Sequence, residues 1–440
     1  MPNSLRITDI QTTIVNLPVP EGGFYPAWIP GAVYHHFPVT VTQVFTDQGL
    51  VGVGMAQCYD LEVKQFIDRT VKPLVLRDLP DPFEANKFFS LMTPFLPRPR
   101  PFPLSALEVI KMALRLKPWR GEPVQDFRGN LAMMKQPFRV FSIMAGASMH
   151  TDHRPWSVEI AMWDLMGKAL SKPVCELLDP AHKPLKRVPV YLSTGSPMPG
   201  EARADFARKY LEQGIRAIKL RPSSPNPDDD LKVIKAVRDA VNDQMEIMCD
   251  AAMAWKPIPP LWDLKTALRM AEAMDELGVY FLEEPLPAAH FEELSRLCRE
   301  VKARCKKLKI AGGEINVGRP AFETFDRYGI YDIFQPDANY AGGFAEGMRI
   351  AQLAKETSRE LIPHSWGVAF QIAANLHFAA AIGGKTYLEW PHEPPTWTEE
   401  FNYRLVKEPI RIENGFALVP DQPGLGLELD QAALRKYAVV

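Results

Sequence analysis

The sequence predicts an α/β protein built on a (β/α)8-type barrel with a smaller domain attached. From about residue 186, short apolar runs alternate with amphipathic helical stretches at a nearly constant interval. Eight such runs alternating with helices in about 200 residues is the signature of a (β/α)8-type barrel. Nearly every run also ends on an ionisable residue, which is where barrels carry their chemistry.

The elements follow in chain order. Residues 5–17 and 38–54 read as strands, with Asp47-Gln48-Gly49 as the turn of a hairpin. FPVTVTQVFT (37–46) alternates polar and apolar residues, which predicts a sheet with one solvated face. PFLPRPRPFPL (94–104) carries five prolines and cannot be a helix interior. WSVEIAMWDLMGKAL (156–170) is a helix, with Val158, Ala161, Met162, Leu165 and Met166 spaced for one buried face. The eight barrel-strand candidates are 187–193, 215–220, 245–250, 279–283, 309–314, 331–337, 360–364 and 386–390. A doubly wound sheet is the alternative, but STGSPMPG (193–200) is a poor match to its phosphate loop. The tail from 408 returns to β-like, turn-rich sequence and is expected to pack on the N-terminal domain.

Composition bounds the function. The chain has 440 residues, 46% hydrophobic and 24% charged, with a formal net charge of −2. That is an ordinary soluble composition of two or three domains, without the basic runs that nucleic acid or an anionic membrane would require. No apolar run approaches the length of about 20 residues that spans a bilayer. The five cysteines (58, 175, 249, 298, 305) form no C-x-x-C pair, so neither a disulfide framework nor a zinc site is expected. With no signal-peptide layout at the N-terminus, a cytoplasmic location is expected.

The strand ends supply Lys219 and Arg221, Asp250, Glu283, Glu314, Asp337, His364 and Glu389. Asp250, Glu283 and Glu314 come from three consecutive strands. Adjacent strands lie about 4.8 Å apart, and carboxylates that close repel one another. A hard divalent cation removes the conflict, and Mg²⁺ suits an all-oxygen set better than zinc does. Glu284, beside Glu283, points the other way and is expected to be structural or to support the metal ligands from behind. Asp337 beside His364 fixes the tautomer of the imidazole and raises its pKa. Lys219 and Arg221, two apart, share a face and flank the metal with positive charge. This set suits removal of a proton next to a metal-bound carboxylate, the enolate being held by the metal, Lys219 and a protonated Glu389.

The motifs resemble those of the enolase superfamily, specifically its mandelate racemase subgroup. They are SVEIAMWDLMGKALSKPVCELL (157–178), IKLR (218–221), MCDAAMAW (248–255), FLEEPLP (281–287), AGGEINVG (311–318), FQPDANYAGG (334–343), IPHSWG (362–367), YLEW (387–390) and PGLGLELD (423–430). The resemblance implies a modified (β/α)7β barrel with an α+β capping domain formed by both termini. The capping domain would take 1–185, the barrel 186–395, and a C-terminal segment 396–440 would return to the cap. By resemblance, Asp250, Glu283 and Glu314 match magnesium ligands, His364 and Asp337 the His-Asp dyad, Glu389 a glutamate that donates to the substrate carboxylate, and Lys219 the first lysine of K-x-K. The second lysine is replaced by Arg221, a poor general base because a guanidinium stays protonated. Ala252 stands where a polar residue is common. One competent base favours a dehydratase of a sugar acid that yields a 2-keto-3-deoxy product. A racemase or epimerase of a 2-hydroxy acid is the second reading, and a catalytically silent binding protein the third.

The resemblance also places specificity in capping-domain loops. The first candidate is 19–37, which offers Tyr34, His35 and His36 as substrate-binding residues, with Trp366 from IPHSWG on the barrel side. MAQCYD (55–60) is a second lid candidate. The insert at 94–155, with Arg98, Arg100, Arg120, Arg128 and Arg154, would enlarge the cap or line an oligomer interface. A homo-oligomer, dimer or octamer, is the default for the family.

Overall fold

The structure, a computed structural model, describes residues 5–20, 22–29, 31–57, 61–95, 155–254 and 261–439. The arginines of the 94–155 insert, Cys58 to Asp60 of the second lid candidate, and Trp255 lie outside them.

Three antiparallel strands, β1 (Ile7–Pro18), β2 (His36–Thr46) and β3 (Val51–Gln57), form the N-terminal sheet. The turn at 47–49 joins β2 to β3 as the sequence predicts, with Gly49 N–H bonded to the Thr46 carbonyl. The expected solvated face does not exist at the sheet's centre. Thr40 and Thr42 are as buried as Val39 and Val41. The reason is helix α1 (Trp156–Leu170), which lies on the threonine face: Thr42 Oγ1 is 2.8 Å from Ser157 Oγ. Gly52 and Gly54 permit this approach, since a Cβ on either would stand 2.0 Å from a helix carbonyl.

The same packing corrects the expectation for α1, which is buried on every side over Trp156–Gly167 rather than on one face. Its buried Ser157, Glu159 and Asp164 all have partners. Asp164 accepts from the Val53 and Leu425 amides and from Lys168. Glu159 accepts from Trp163 Nε1 and from the Phe344 and Ala345 amides, the last two at the start of a barrel helix.

The barrel strands are β4 (Arg187–Ser193), β5 (Ala217–Leu220), β6 (Glu246–Asp250), β7 (Phe281–Glu283), β8 (Lys309–Gly312), β9 (Ile333–Phe334), β10 (Glu360–Leu361) and β11 (Leu388–Pro391). Each pairs in parallel with the next from β4 to β10, and β11 pairs in parallel with β4. That sequential order excludes the doubly wound alternative. Between the strands run helices α2 (Gly200–Glu212), α3 (Pro227–Val241), α4 (Leu264–Glu276), α5 (Phe291–Arg304), α6 (Arg319–Tyr328), α7 (Gly343–Glu356) and α8 (Phe370–Ile382). A short hairpin, β12 (Ile412–Glu413) and β13 (Phe416–Leu418), pairs antiparallel with β4. Val439 N–H bonds the Ile14 carbonyl, so the chain's end rejoins β1.

Inside the barrel, Tyr191, Ala217, Met248, Phe281, Ala311 and Ile333 form a separate apolar layer. It is the packed floor expected beneath a barrel's site. Strand pairing stops earlier than the sequence suggests on the far side: Asp337 and His364 each stand three residues beyond the last paired residue. Pro336 and Pro363 precede them and cannot donate to a ladder. The two side chains are thereby lifted off the sheet towards the barrel mouth. Among the described residues, no helix is long and apolar enough to cross a membrane.

Candidate active site

Asp250 ends β6, Glu283 ends β7, and Glu314 follows β8 by two residues. All three are buried, and one oxygen from each lies within 4.8 Å of the others. Lys219 of β5 is fully buried beneath them. Its ammonium is 2.8 Å from Glu283 Oε2, 2.8 Å from Glu389 Oε1 and 3.7 Å from Asp250 Oδ2. Burial pushes the Glu283 carboxyl up, against Lys219, which draws it down, while Glu389 and Glu314 add to the rise.

Opposite stands His364. Its Nδ1 donates to Asp337 Oδ2 at 2.8 Å, and its Nε2 is 3.2 Å from Glu314 Oε2. Asp337 Oδ1 accepts from the Asn339 amide, from Asn339 Nδ2 and from Asn375 Nδ2. These bonds fix the carboxylate and, through it, the imidazole tautomer that leaves Nε2 facing the cavity. Burial alone would lower the His364 pKa. The charges of Glu314 and Glu389, with the Asp337 hydrogen bond, outweigh it and hold His364 at about 9.

Arg221, just past β5, donates from Nη1 to Asp250 Oδ2 and from Nε to the Thr194 carbonyl at 2.9 Å. Glu389, expected to donate in its protonated form, lies among Lys219, Arg221 and His364. Burial would raise its carboxyl, but Lys219, His364 and Arg221 hold it well below the usual carboxylate range. It accepts from Ser193 Oγ at 2.6 Å and from the Ser365 amide at 3.0 Å. The Ser365 bond also joins the ends of β10 and β11.

Of the four substrate-binding candidates, the structure brings Trp366 to the site, its ring centroid 5.2 Å from the Arg221 guanidinium carbon. Tyr34 packs against Phe24 within the loop, its hydroxyl pushed up to about 12 by burial. His35 is exposed and His36 opens β2. The loop aromatics Phe24 and Trp28 reach the barrel, their rings meeting Trp366 at 6.2 and 5.2 Å.

The carboxylate trio fits a hard divalent cation. Glu283 Oε1 is buried without a hydrogen-bond partner, a costly state unless a ligand takes that lone pair. The set contains no histidine or cysteine, which disfavours zinc. Glu284 is also buried and turned away at φ +46. Burial, with Glu314 and Glu283 nearby, holds its carboxyl well above the usual range.

Residues 202–433 match the enolase C-terminal domain-like family. The chain belongs to the enolase superfamily, in its mandelate racemase subgroup. Arabinonate dehydratase of Saccharolobus solfataricus is 26% identical over 416 residues, 93% of each chain. D-galactarolactone cycloisomerase of Agrobacterium fabrum is 30% identical over 290 residues, 64% of this chain and 72% of that one. A crystal structure from Bordetella bronchiseptica RB50, provisionally assigned as a mandelate racemase, superposes with a TM-score of 0.75 at 26% identity, over 99% of this chain and 96% of that one.

Within this enolase-superfamily site, sequence reading missed Ser193, Thr194, Asn339 and Asn375. Asn375 carried a signal: it sits in FQIAANLHFAAAI, a mostly apolar helix, where a buried amide demands a partner. Ser193 and Thr194 act at a strand end through a hydroxyl and a backbone carbonyl, which composition does not mark.

Proposed function

We propose that this enolase-superfamily member is a Mg²⁺-dependent dehydratase of a sugar acid, a hydro-lyase. The observation that carries the reading is the asymmetry of the cavity: a His-Asp dyad on one side, and on the other Arg221, which no ordinary pH deprotonates. The barrel is assigned to 186–395 and the cap to 1–185 with the 396–440 tail.

Asp250, Glu283 and Glu314 would hold the Mg²⁺, which when bound supplies Lewis-acid neutralisation of carboxylate charge. Lys219 and Arg221 add fixed positive charge where the deprotonated acid accumulates negative charge. His364 Nε2, neutral at that moment, takes the proton from the carbon next to the substrate carboxylate, and the C–H pair moves onto the carboxylate oxygens. Asp337 stabilises the imidazolium through Nδ1. The electron pair then returns, the β-carbon–oxygen bond breaks, and the His364 proton goes to the departing hydroxide as water. The remaining enol tautomerises to the 2-keto-3-deoxy acid. Ser193 and Ser365 keep Glu389 an acceptor, which suits it to a substrate hydroxyl.

The second reading is an isomerase working through the same enolate, which the cycloisomerase relative favours. The test is a screen of sugar acids and 2-hydroxy acids with Mg²⁺ in D₂O, followed by proton NMR. A 2-keto-3-deoxy product supports the dehydratase. Deuterium next to the carboxylate without a keto product points to the isomerase, and no change with any acid sinks both.

A further inference from the structure

We propose that Trp28 is a positioning residue that couples docking of the 19–35 cap loop to the placement of Arg221, so that this arginine is the barrel's half of a latch. The inference rests on Arg221 belonging to the active site, as proposed above. The guanidinium carbon of Arg221 is 5.2 Å from the Trp28 ring and 5.2 Å from the Trp366 ring. The two indoles meet at 85°, so the cation sits in the corner between a loop aromatic and a barrel aromatic. A guanidinium is weakly hydrated and planar, and it gains from aromatic faces what an ammonium gains less readily.

The loop touches the barrel elsewhere at the same spot. Ala27 N–H bonds the Gly195 carbonyl at 2.8 Å. Phe24 and Trp366 close over Gly195 so tightly that a Cβ there would lie 2.7 and 2.8 Å from their rings. Gly195 directly follows Ser193 and Thr194, which hold Glu389 and Arg221. The loop's attachments therefore converge on the backbone and the cation that shape one wall of the site. Removing Trp28 opens one side of the Arg221 corner. Removing Arg221 takes away the charge on which Trp28 rests. Two groups held by one contact depend on each other reciprocally.

The test uses the full chain without substrate. Hydrogen exchange of peptides spanning 22–36 is followed by mass spectrometry in wild type, Arg221→Ala and Arg221→Lys. Arg221→Ala should speed loop exchange about tenfold, the scale of one partly desolvated cation–π contact. Arg221→Lys, which keeps the charge, should fall between the two. Should Arg221→Ala not fold, Arg221→Lys alone carries the comparison. Exchange equal to wild type in the folded variants overturns the latch. On a substrate found in the NMR screen, Trp28→Ala and Arg221→Ala should lower kcat/KM non-additively, while Trp28→Phe restores most of the loss; additive losses would make Trp28 merely structural. If the loop loosens but the wild type turns over no acid, the latch stands and the dehydratase reading falls.

Discussion

Binding of Mg²⁺ should expel a proton, and His364 should be its source. The imidazole Nε2 lies 3.2 Å from Glu314 Oε2, and at an effective dielectric of about 20 two unit charges so placed attract by about 5 kcal/mol. Raising His364 from 6.5 to about 9 needs a net ~3 kcal/mol; burial opposes it, and Glu314 is the largest of the charges that together with Glu389 and Asp337 overcome it. At pH 8 roughly nine-tenths of the metal-free protein then carries the proton. A cation on Glu314 cancels that attraction and returns His364 towards its ordinary value, releasing up to about 0.9 proton per site at pH 8. Calorimetric titration with Mg²⁺ in two buffers of different ionisation enthalpy measures this number. His364→Asn should bind Mg²⁺ and release almost nothing. A wild-type release near zero, or an equal release from His364→Asn, refutes the reasoning. The stability sign follows from the same raised pKa: His364 stabilises the metal-free fold fully below pH 6.5, and that contribution fades as pH rises through 9.

Three further outcomes are expected. Glu283→Ala should weaken Mg²⁺ binding by about a hundredfold or more, read by calorimetry, because it removes the one donor whose second oxygen has no other partner. His377, buried in α8, has its pKa lowered to about 4 by burial while it accepts from the Cys175 amide and bonds the Leu425 carbonyl. Its contribution is present above pH 6.5 and lost as pH falls through 4, so the Tm gap between wild type and His377→Ala should narrow over that window. Glu159→Ala leaves two amides at the start of α7 and one indole N–H without their acceptor. It should cost about 3 kcal/mol in denaturant unfolding.

The barrel was legible because its two signals, apolar runs and polar strand ends, recur at a fixed interval. The carboxylate trio, Lys219 and the dyad were legible because each ionisable residue ends a buried run, where it must have a partner. The state of Glu389 was not legible. It depends on Ser193 and Ser365 crossing from other strands, and on Lys219 lying between Glu283 and Glu389. The histidines of 19–37 drew attention by residue type, and His35 is exposed. Phe24 and Trp28 serve through ring geometry, which a sequence window does not encode. The all-round burial of α1 was hidden for a related reason: Ser157, Glu159 and Asp164 look like a solvated face until their partners arrive from β2, from β3, from α7 and from the tail.

Formal charge ties the parts of the site together. Asp250, Glu283, Glu314, Asp337 and Glu389 bring five negative charges, against Lys219, Arg221 and a protonated His364. Two are left over, which is what a divalent cation cancels; on Glu283 that excess adds, through Glu389 and Glu314, to a rise that burial dominates. On the proposed function, adding the cation would free His364 to lose its proton, and the carboxylate of an acid would then meet a cavity whose cations remain fixed. A lysine in place of Arg221 would keep the same sum but could become a second base. Arg221 cannot, and its planar head is spent on Asp250, Thr194 and two indoles. Substitution by lysine should therefore loosen the cap loop, and proton exchange appearing on the opposite face of the substrate would show that the second-base position had been restored.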